Sequence, residues 1–188
     1  MDWFGQPGIT WPLRGISFSG HIVPAGSAFS VAGKMAFVPP SDILAYLALF
    51  NSSSFDYLVR LFAGKVGGVQ YEAGLIRNIA VPKLERGSWV ELTHLARCAW
   101  SLYRTLDAIS ETSHAFLLPA ALRPRVAEYS VSSISAELAN IQSKIDEIAF
   151  ALYGFDEVDR AAVFGLSKGD AKQADEADSD EDGDDDRR

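Results

Sequence analysis

The chain has a single cysteine, Cys98, among its 188 residues. One thiol excludes a disulfide framework within the chain and cannot by itself build a zinc site. Long apolar runs are also lacking. The longest, Ile43 to Phe50, is far shorter than the roughly 20 residues of a transmembrane helix. The N-terminus has no basic segment followed by an apolar one, as a signal peptide would. We therefore expect a soluble protein of the reducing cytoplasm.

Nucleotide-binding and metal-binding motifs are missing as well. A P-loop requires Ser or Thr after its Gly-Lys pair, because that hydroxyl binds magnesium, and neither Gly33-Lys34 nor Gly64-Lys65 has one. The histidines are not spaced like metal ligands on one helix; they are His21, His94 and His114. His94 and Cys98 lie one helical turn apart, which we interpret as a packed pair rather than a base and a nucleophile. The sequence thus predicts no catalytic, cofactor or metal site in this chain.

The negative charge of the chain is concentrated at its C-terminal end. Of 25 acidic and 17 basic residues, 10 and 3 lie in Asp170–Arg188, which gives this segment a charge of −7. The remaining 15 acidic and 14 basic residues leave the body at −1. With almost nothing apolar to bury, residues 166–188 are predicted to form a disordered acidic tail. The near-neutral body argues against a strongly basic, non-specific DNA coat but leaves sequence-specific binding open.

The first 87 residues are predicted to form an α+β region. Turn residues separate short β-prone segments, and Pro39-Pro40 precedes a helical stretch over Ser41–Phe62 that either Ser41 or Asp42 is placed to cap. The expected strands are Gly15–Phe18, Ala28–Val31, Lys34–Val38 and Asn78–Val81. We therefore expect a small, bent mixed sheet with helices packed on it.

Residues 88–165 are predicted to form a long helical hairpin. Apolar residues recur at alternating spacings of three and four, from Leu92 to Ile109 and again from Ile134 to Leu152. Each stripe lasts for about three heptads, enough for two helices to pack side by side. The stripes fit an ordinary pair of core helices as well as a coiled-coil spacer. The predicted fold class is α+β, with the sheet region followed by the hairpin.

Four segments, in order, resemble a known family. They are WFGQPGITWPLRG with SFSGHIVPAGSAFS after it, LFNSSSFDYL with QYEAGLIRNIAVP, ETSHAFLLPAA, and IDEIAFALYGFD. Together they cover roughly Trp3 to Phe164 and are similar to the C-terminal target recognition region of large adenine-specific DNA methyltransferases. These are the type IIG restriction-modification and BREX-like phage-exclusion enzymes, with a weaker similarity to type I specificity subunits. The resemblance implies a region that holds and reads double-stranded DNA.

The catalytic half of that family is missing from this chain. Adenine-N6 methyltransferases hold the flipped base with an Asn/Asp/Ser-Pro-Pro-aromatic tetrapeptide, whereas this chain has Val38-Pro39-Pro40-Ser41. No glycine-rich loop for S-adenosylmethionine is present either. The two prolines are better explained as a strand-to-helix joint. The resemblance therefore implies that S-adenosylmethionine and catalysis belong to a separate methyltransferase domain or subunit.

Two groups of residues are candidates for contacting DNA. Bidentate Arg or Lys side chains read guanine, Asn or Gln side chains read adenine, and glycines let the main chain approach a phosphate. The first group flanks the glycine-rich stretch 64–68 and comprises Arg60, Lys65, Gln70, Tyr71 and Arg77. The second group lies near the N-terminus and comprises Trp11, Arg14, His21 and Lys34. Trp3, Phe4 and Trp11 are expected to serve in the core or an interface rather than to stack on bases.

Two alternatives to DNA recognition follow from the same sequence. The hairpin suits a scaffold protein that docks a partner through its helices and never contacts DNA. The missing catalytic half also suits an inactive remnant of a longer gene.

Overall fold

A computed structural model of the chain describes residues 4–28, 30, 33–63, 69–125 and 129–165. Its N-terminal part contains a three-stranded antiparallel sheet of β1 (Gly8–Thr10), β3 (His21–Val23) and β4 (Met35–Ala36), with β1 in the centre. Ile9 of β1 is paired with Ile22 and with Ala36 on either side and is completely buried. A second pair joins β2 (Arg14–Gly15) to β5 (Val69–Gln70), also antiparallel.

Two helices follow the sheet, and a polar break separates them. α1 (Ile43–Phe50) begins after a turn in which the Asp42 amide donates to the Pro39 carbonyl, 2.8 Å away. α2 (Ser53–Ala63) starts just beyond Ser52, whose Oγ accepts from the Phe55 amide and thereby caps the helix. Asn51 fills the break: its amide side chain bonds to both backbone groups of Gly20. Both helices thus lie within the expected stretch and follow the two prolines, but the predicted cap is wrong: Asp42 precedes α1 without a capping side-chain bond and accepts from Ser41 and Trp89 instead.

The C-terminal half consists of two long helices and shorter connecting ones. α3 (Ala73–Arg77) leads into α4 (Arg86–Asp107), a 3-10 helix spans Ala120–Arg125, and α5 (Val131–Tyr153) follows. A last helix, α6, covers residues 157–165. Ser130 caps α5 by accepting from the Ser133 amide, and Gly154 ends it in the left-handed conformation, at φ 69°. Glycine adopts that conformation without the steric cost of a side chain.

Two apolar clusters hold these elements together. The first lies between the sheet and α2 and centres on aromatic rings: Phe18 packs edge-on against Phe55 and Tyr71, and Phe50 stacks on Phe55 at 4.6 Å. The second joins α1 to the two long helices and contains Ala45, Ala48, Leu92, Leu95, Ala96, Ile141 and Ile145. The parts of the predicted stripes at Leu92–Leu102 and Ile141–Leu152 therefore face this core, whereas Leu106, Ile109, Ile134 and Leu138 do not belong to it. The small side chains of α1 allow α4 to approach it closely, so the hairpin packs onto α1 as well as on itself.

The α+β class is confirmed, while several details of the sheet were wrong. Every strand pairing in the described residues is antiparallel, so the sheet is not mixed. Asn78–Val81 is not a strand; its first residues form a turn after α3. The strands at Gly8–Thr10 and His21–Val23 were not predicted, because three-residue strands flanked by Gly and Pro carry too little alternation to be recognised. Of Ala28–Val31, residues 29 and 31 lie outside the described residues, as does the predicted tail at 166–188.

Candidate nucleic-acid interface

The β2–β5 ladder brings the two candidate groups together. Arg14 of β2 lies directly opposite Gln70 of β5, although 56 residues separate them in the chain. Side chains directly opposite in an antiparallel pair project from the same face, with Cβ atoms about 5 Å apart. Both side chains are exposed. An exposed arginine and an exposed glutamine, both residue types that read base edges, thus lie side by side on the surface.

A buried lysine, Lys34, is paired with the exposed Glu72 next to this surface, so this predicted DNA contact is not itself on the surface. Lys34 Nζ lies 3.0 Å from Glu72 Oε2, with Lys34 only 9% exposed and Glu72 53% exposed. Gln70 donates its side-chain N–H to the other oxygen of Glu72. These hydrogen bonds, from Lys34 first and then from Gln70, lower the pKa of the Glu72 carboxyl. We call Arg14, Lys34, Gln70 and Glu72 the polar strip.

Glu72 was not among the predicted site residues. Gln70 and Glu72 are two positions apart in extended backbone, so their side chains lie on the same face. The spacing of two residues in an extended segment is the sequence signal that places Glu72 on the same face as Gln70. The carboxylate fixes the amide orientation of Gln70 and neutralises Lys34, so the polar strip keeps one uncompensated cation, Arg14.

Arg77 lies near the polar strip without belonging to it. It is the last residue of α3, and Glu72 is the residue that precedes this helix. Five residues of helix separate the two by roughly 8 Å along the axis. Arg77 is exposed, and no carboxylate pairs with it in the described part of the chain. It therefore adds a second uncompensated cation in the neighbourhood of Glu72.

Three of the predicted contact residues point inward instead. Tyr71 is completely buried; its backbone amide donates to Leu13 O and its hydroxyl donates to Gly15 O at 3.2 Å. Burial raises the pKa of Tyr71 to about 12, with the nearby Asp56 carboxylate as the second cause. Trp11 is buried as expected and donates from Nε1 to Tyr71 O. Arg60 is 12% exposed and paired with Asp56 at 2.8 Å. These side chains support the polar strip from below and do not line its outer face.

The remaining candidates fall in different places. Lys65 and Trp3 lie outside the described residues. His21 is exposed on β3, with Nε2 3.1 Å from Ser19 Oγ. Phe4, expected in the core or an interface, is 68% exposed and does not belong to the core.

Gly15 shapes the backbone at the ladder. A Cβ at this position would lie 3.1 Å from the Ser17 carbonyl and 3.4 Å from the Tyr71 ring. The first distance is shorter than ordinary van der Waals contact. The absence of a side chain therefore lets the Ser17 carbonyl lie close to the Gly15 backbone at the end of β2.

A buried carboxylate links this region to the C-terminal helices. Asp146 of α5 is 7% exposed and accepts from the Ser53 amide at 2.7 Å, from Ser53 Oγ at 2.9 Å and from Gln142 Nε2 at 3.1 Å. Burial raises the pKa of the Asp146 carboxyl, and the hydrogen bonds from Ser53 and Gln142 counteract part of that effect. Gln142 also donates to Asn51 O. We call these hydrogen bonds the Asp146 joint. They hold α5 against the start of α2 and thereby position the helical hairpin on the rest of the chain.

The described ranges also bear on metal binding, cysteine reactivity and membrane crossing. No group of three or more His, Cys, Asp or Glu residues there could hold a metal ion. Cys98 Sγ lies 3.6 Å from His94 Nε2, with the cysteine half-buried and the histidine exposed. Of the helices described, none combines the length and the apolar character that crossing a bilayer requires.

Comparisons with protein-family models, with curated proteins and with solved structures found no match to this chain. The resemblance to methyltransferase recognition regions accordingly rests on the sequence segments quoted above.

Proposed function

We propose that this chain is the DNA-recognition portion of a site-specific adenine-N6 DNA methyltransferase in a restriction-modification or phage-defence system of the cytoplasm. S-adenosylmethionine and methyl transfer would belong to a separate domain or subunit. Two lines of support converge on this proposal. The first is the ordered set of sequence segments that resembles such recognition regions. The second is the geometry of the polar strip.

The observation that carries the proposal is the pairing of Arg14 with Gln70. Arginine reads guanine with two hydrogen bonds, and glutamine reads adenine in the same way. Glu72 adds an acceptor of the kind that reads the cytosine amino group. Three complementary base-reading groups on one exposed face are more than a solvated turn requires. Their orientation is fixed by the ladder and by the Gln70–Glu72 hydrogen bond.

The charges of this region indicate how tightly it would hold DNA. Lys34 and Glu72 cancel, so Arg14 and Arg77 remain as net positive charges. Each phosphate neutralised contributes about −0.9 to the slope of log K against log salt concentration. With Arg14 on a base edge, Arg77 as the phosphate contact gives a slope of about −0.9, and Lys65 would bring it to about −1.8. This is weak binding for a DNA reader, and it suits a chain that acts beside a catalytic partner.

Fluorescence anisotropy tests the proposal with the full-length chain and a labelled duplex enriched from a random-sequence pool. We expect measurable binding at low salt with a slope between those two values. Arg77→Ala should weaken binding to every duplex alike and reduce the slope by about 0.9. Lys65→Ala should have the same uniform effect if the 64–68 stretch approaches a phosphate. Arg125→Ala, which removes an exposed arginine of the 3-10 helix, serves as the control and should have no effect.

The scaffold alternative has an observation of its own. α4 presents large apolar side chains to solvent, with Val90 52%, Trp100 58% and Tyr103 58% exposed. Exposed aromatic side chains of this kind are typical of protein interfaces. A scaffold would bind no duplex in the anisotropy assay, and substitution of Arg77 would change nothing. That result would rule out the DNA proposal and leave α4 as the functional surface.

A further inference from the structure

Three arginines form a line along the exposed side of α4. Arg86, Arg97 and Arg104 are all exposed and are 11 and 7 residues apart. At 100° per residue these spacings place the three within about 20° of one another around the helix axis. At 1.5 Å per residue the line is about 27 Å long. We call these three residues the arginine ridge.

The ridge lies opposite the side of α4 that is packed. Leu92 and Leu95, which belong to the core, lie about 140° and 160° around the axis from Arg97. The carboxylates of α4 are also turned away: Asp107 lies about 80° from Arg97 and Glu91 about 120°. In the described ranges no carboxylate forms an ion pair with any ridge arginine. Three exposed arginines therefore lie on one side of the helix, with no ion-pair partner among the described carboxylates.

One aromatic side chain completes this surface. Trp100 lies between Arg97 and Arg104 in the sequence, and the Arg104 guanidinium carbon is 5.4 Å from its ring centroid. This stacking holds the Arg104 guanidinium in place over the ring. A guanidinium in such a place binds carboxylates through its in-plane N–H groups while its face remains on the ring.

The chain itself contains a segment of opposite charge. Residues 175–186 hold nine acidic residues and no basic one. Residues 166–188 could span at most about 75 Å if extended, against about 27 Å for the ridge and about 15 Å for the radius of gyration of a body of this size. A tethered segment is present at millimolar effective concentration. Each of these quantities favours the tail over an acidic partner from solution.

We propose that the acidic segment 175–186 docks along the arginine ridge of α4. Its carboxylates pair with Arg86, Arg97 and Arg104 and supply the counter-charge that the body lacks at this surface. The docked tail covers the ridge against other polyanions. This inference does not depend on the proposed DNA function, because both partners belong to this chain.

Paramagnetic relaxation in the full-length chain tests the docking. The native thiol is removed by Cys98→Ala, and a nitroxide is attached at Ser179→Cys within the acidic segment. We expect the label to broaden backbone amide signals of α4 around Arg86, Arg97 and Arg104 at low salt. The broadening should be lost near 1 M salt, where the Debye length is about 3 Å. It should equally be lost in the triple variant Arg86→Gln/Arg97→Gln/Arg104→Gln.

A matched control separates docking from simple attraction to a less negative body. The triple variant Arg14→Gln/Arg77→Gln/Arg125→Gln removes the same charge from exposed arginines elsewhere and should keep the broadening on α4. Circular dichroism establishes that both variants remain folded. Broadening spread evenly over the body, or centred on β2 and β5, would overturn the proposal. It would also be overturned if the label left α4 unaffected while added duplex DNA shifted the ridge amides, since the ridge would then be a nucleic-acid surface.

Discussion

Removing the Asp146 carboxylate should destabilise the whole chain, because three donors depend on it. Asp146→Ala leaves the Ser53 amide and hydroxyl without their acceptor and leaves Gln142 with the Asn51 carbonyl alone. These groups lie where α5 meets the start of α2, and Asp146 is 7% exposed. Ser53 and Gln142 are half-buried, so water replaces the lost acceptor only in part.

The expected loss can be worked out from these contacts. A helix-start acceptor is worth about 1 kcal/mol, and each buried donor left unsatisfied costs about 1–3 kcal/mol. Burying the carboxylate is itself unfavourable, and it raises the pKa of Asp146. The variant does not have this cost, which offsets part of the stability lost with the hydrogen bonds. We expect a net loss of about 2–3 kcal/mol. For an ordered body of this size that corresponds to a fall in Tm of about 4–12 °C.

Thermal and urea unfolding, followed by circular dichroism, measure this loss. Glu137→Ala is the control, because Glu137 is an exposed carboxylate of the same helix and should change the free energy of unfolding by less than about 0.5 kcal/mol. If Asp146→Ala were as stable as Glu137→Ala, the joint would not hold α5 on α2, and the reasoning would fail.

Three further predictions concern titration and cofactor. Because the folded-state pKa of Asp146 is raised, its contribution to stability is present below the unfolded pKa of about 3.9 and is lost as pH rises through the folded value. In urea titrations at stepped pH, the free energy of unfolding of wild type should therefore fall relative to that of Asp146→Asn as pH rises over that range. Tyr71 should ionise near pH 12, so wild type should lose stability between about pH 10 and 12, and Tyr71→Phe should lose less, as ultraviolet difference spectra and melting curves would show. Calorimetry should detect no S-adenosylmethionine binding to this chain. Stoichiometric, micromolar binding would contradict the proposal that a separate domain or subunit binds the cofactor.

The parts of the fold that sequence predicted are those with a repeating signal. The stripes at Leu92–Ile109 and Ile134–Leu152 have the period of a buried helix face over several turns, and α4 and α5 lie there. The break at Asn51-Ser52 was visible because polar residues interrupt an apolar run. Strands of two or three residues have no such period, so β1 and β3 were missed. Which of these short strands pair is decided by tertiary packing, which no local pattern shows.

The candidate site was predicted in its members but not in its arrangement. Arg14 and Gln70 were placed in separate groups, because nothing local indicates that β2 pairs with β5. Tyr71 was chosen as a surface aromatic, yet the Tyr71 side chain points into the core beneath Gly15. One position in extended backbone reverses which face a side chain occupies. Glu72 was overlooked because acidic residues were not expected in a DNA-reading group.

The sequence preference of the full-length chain, measured by parallel selection from a random duplex pool with wild type and Gln70→Ala, tests the central claim most directly. If Gln70 reads a base edge from the polar strip, Gln70→Ala should lose about 1–3 kcal/mol of discrimination at one base pair and keep the rest of the preferred sequence. That loss corresponds to about a 5- to 150-fold relaxation at that position. An identical preferred sequence for both proteins, or no enrichment with wild type, would contradict the account.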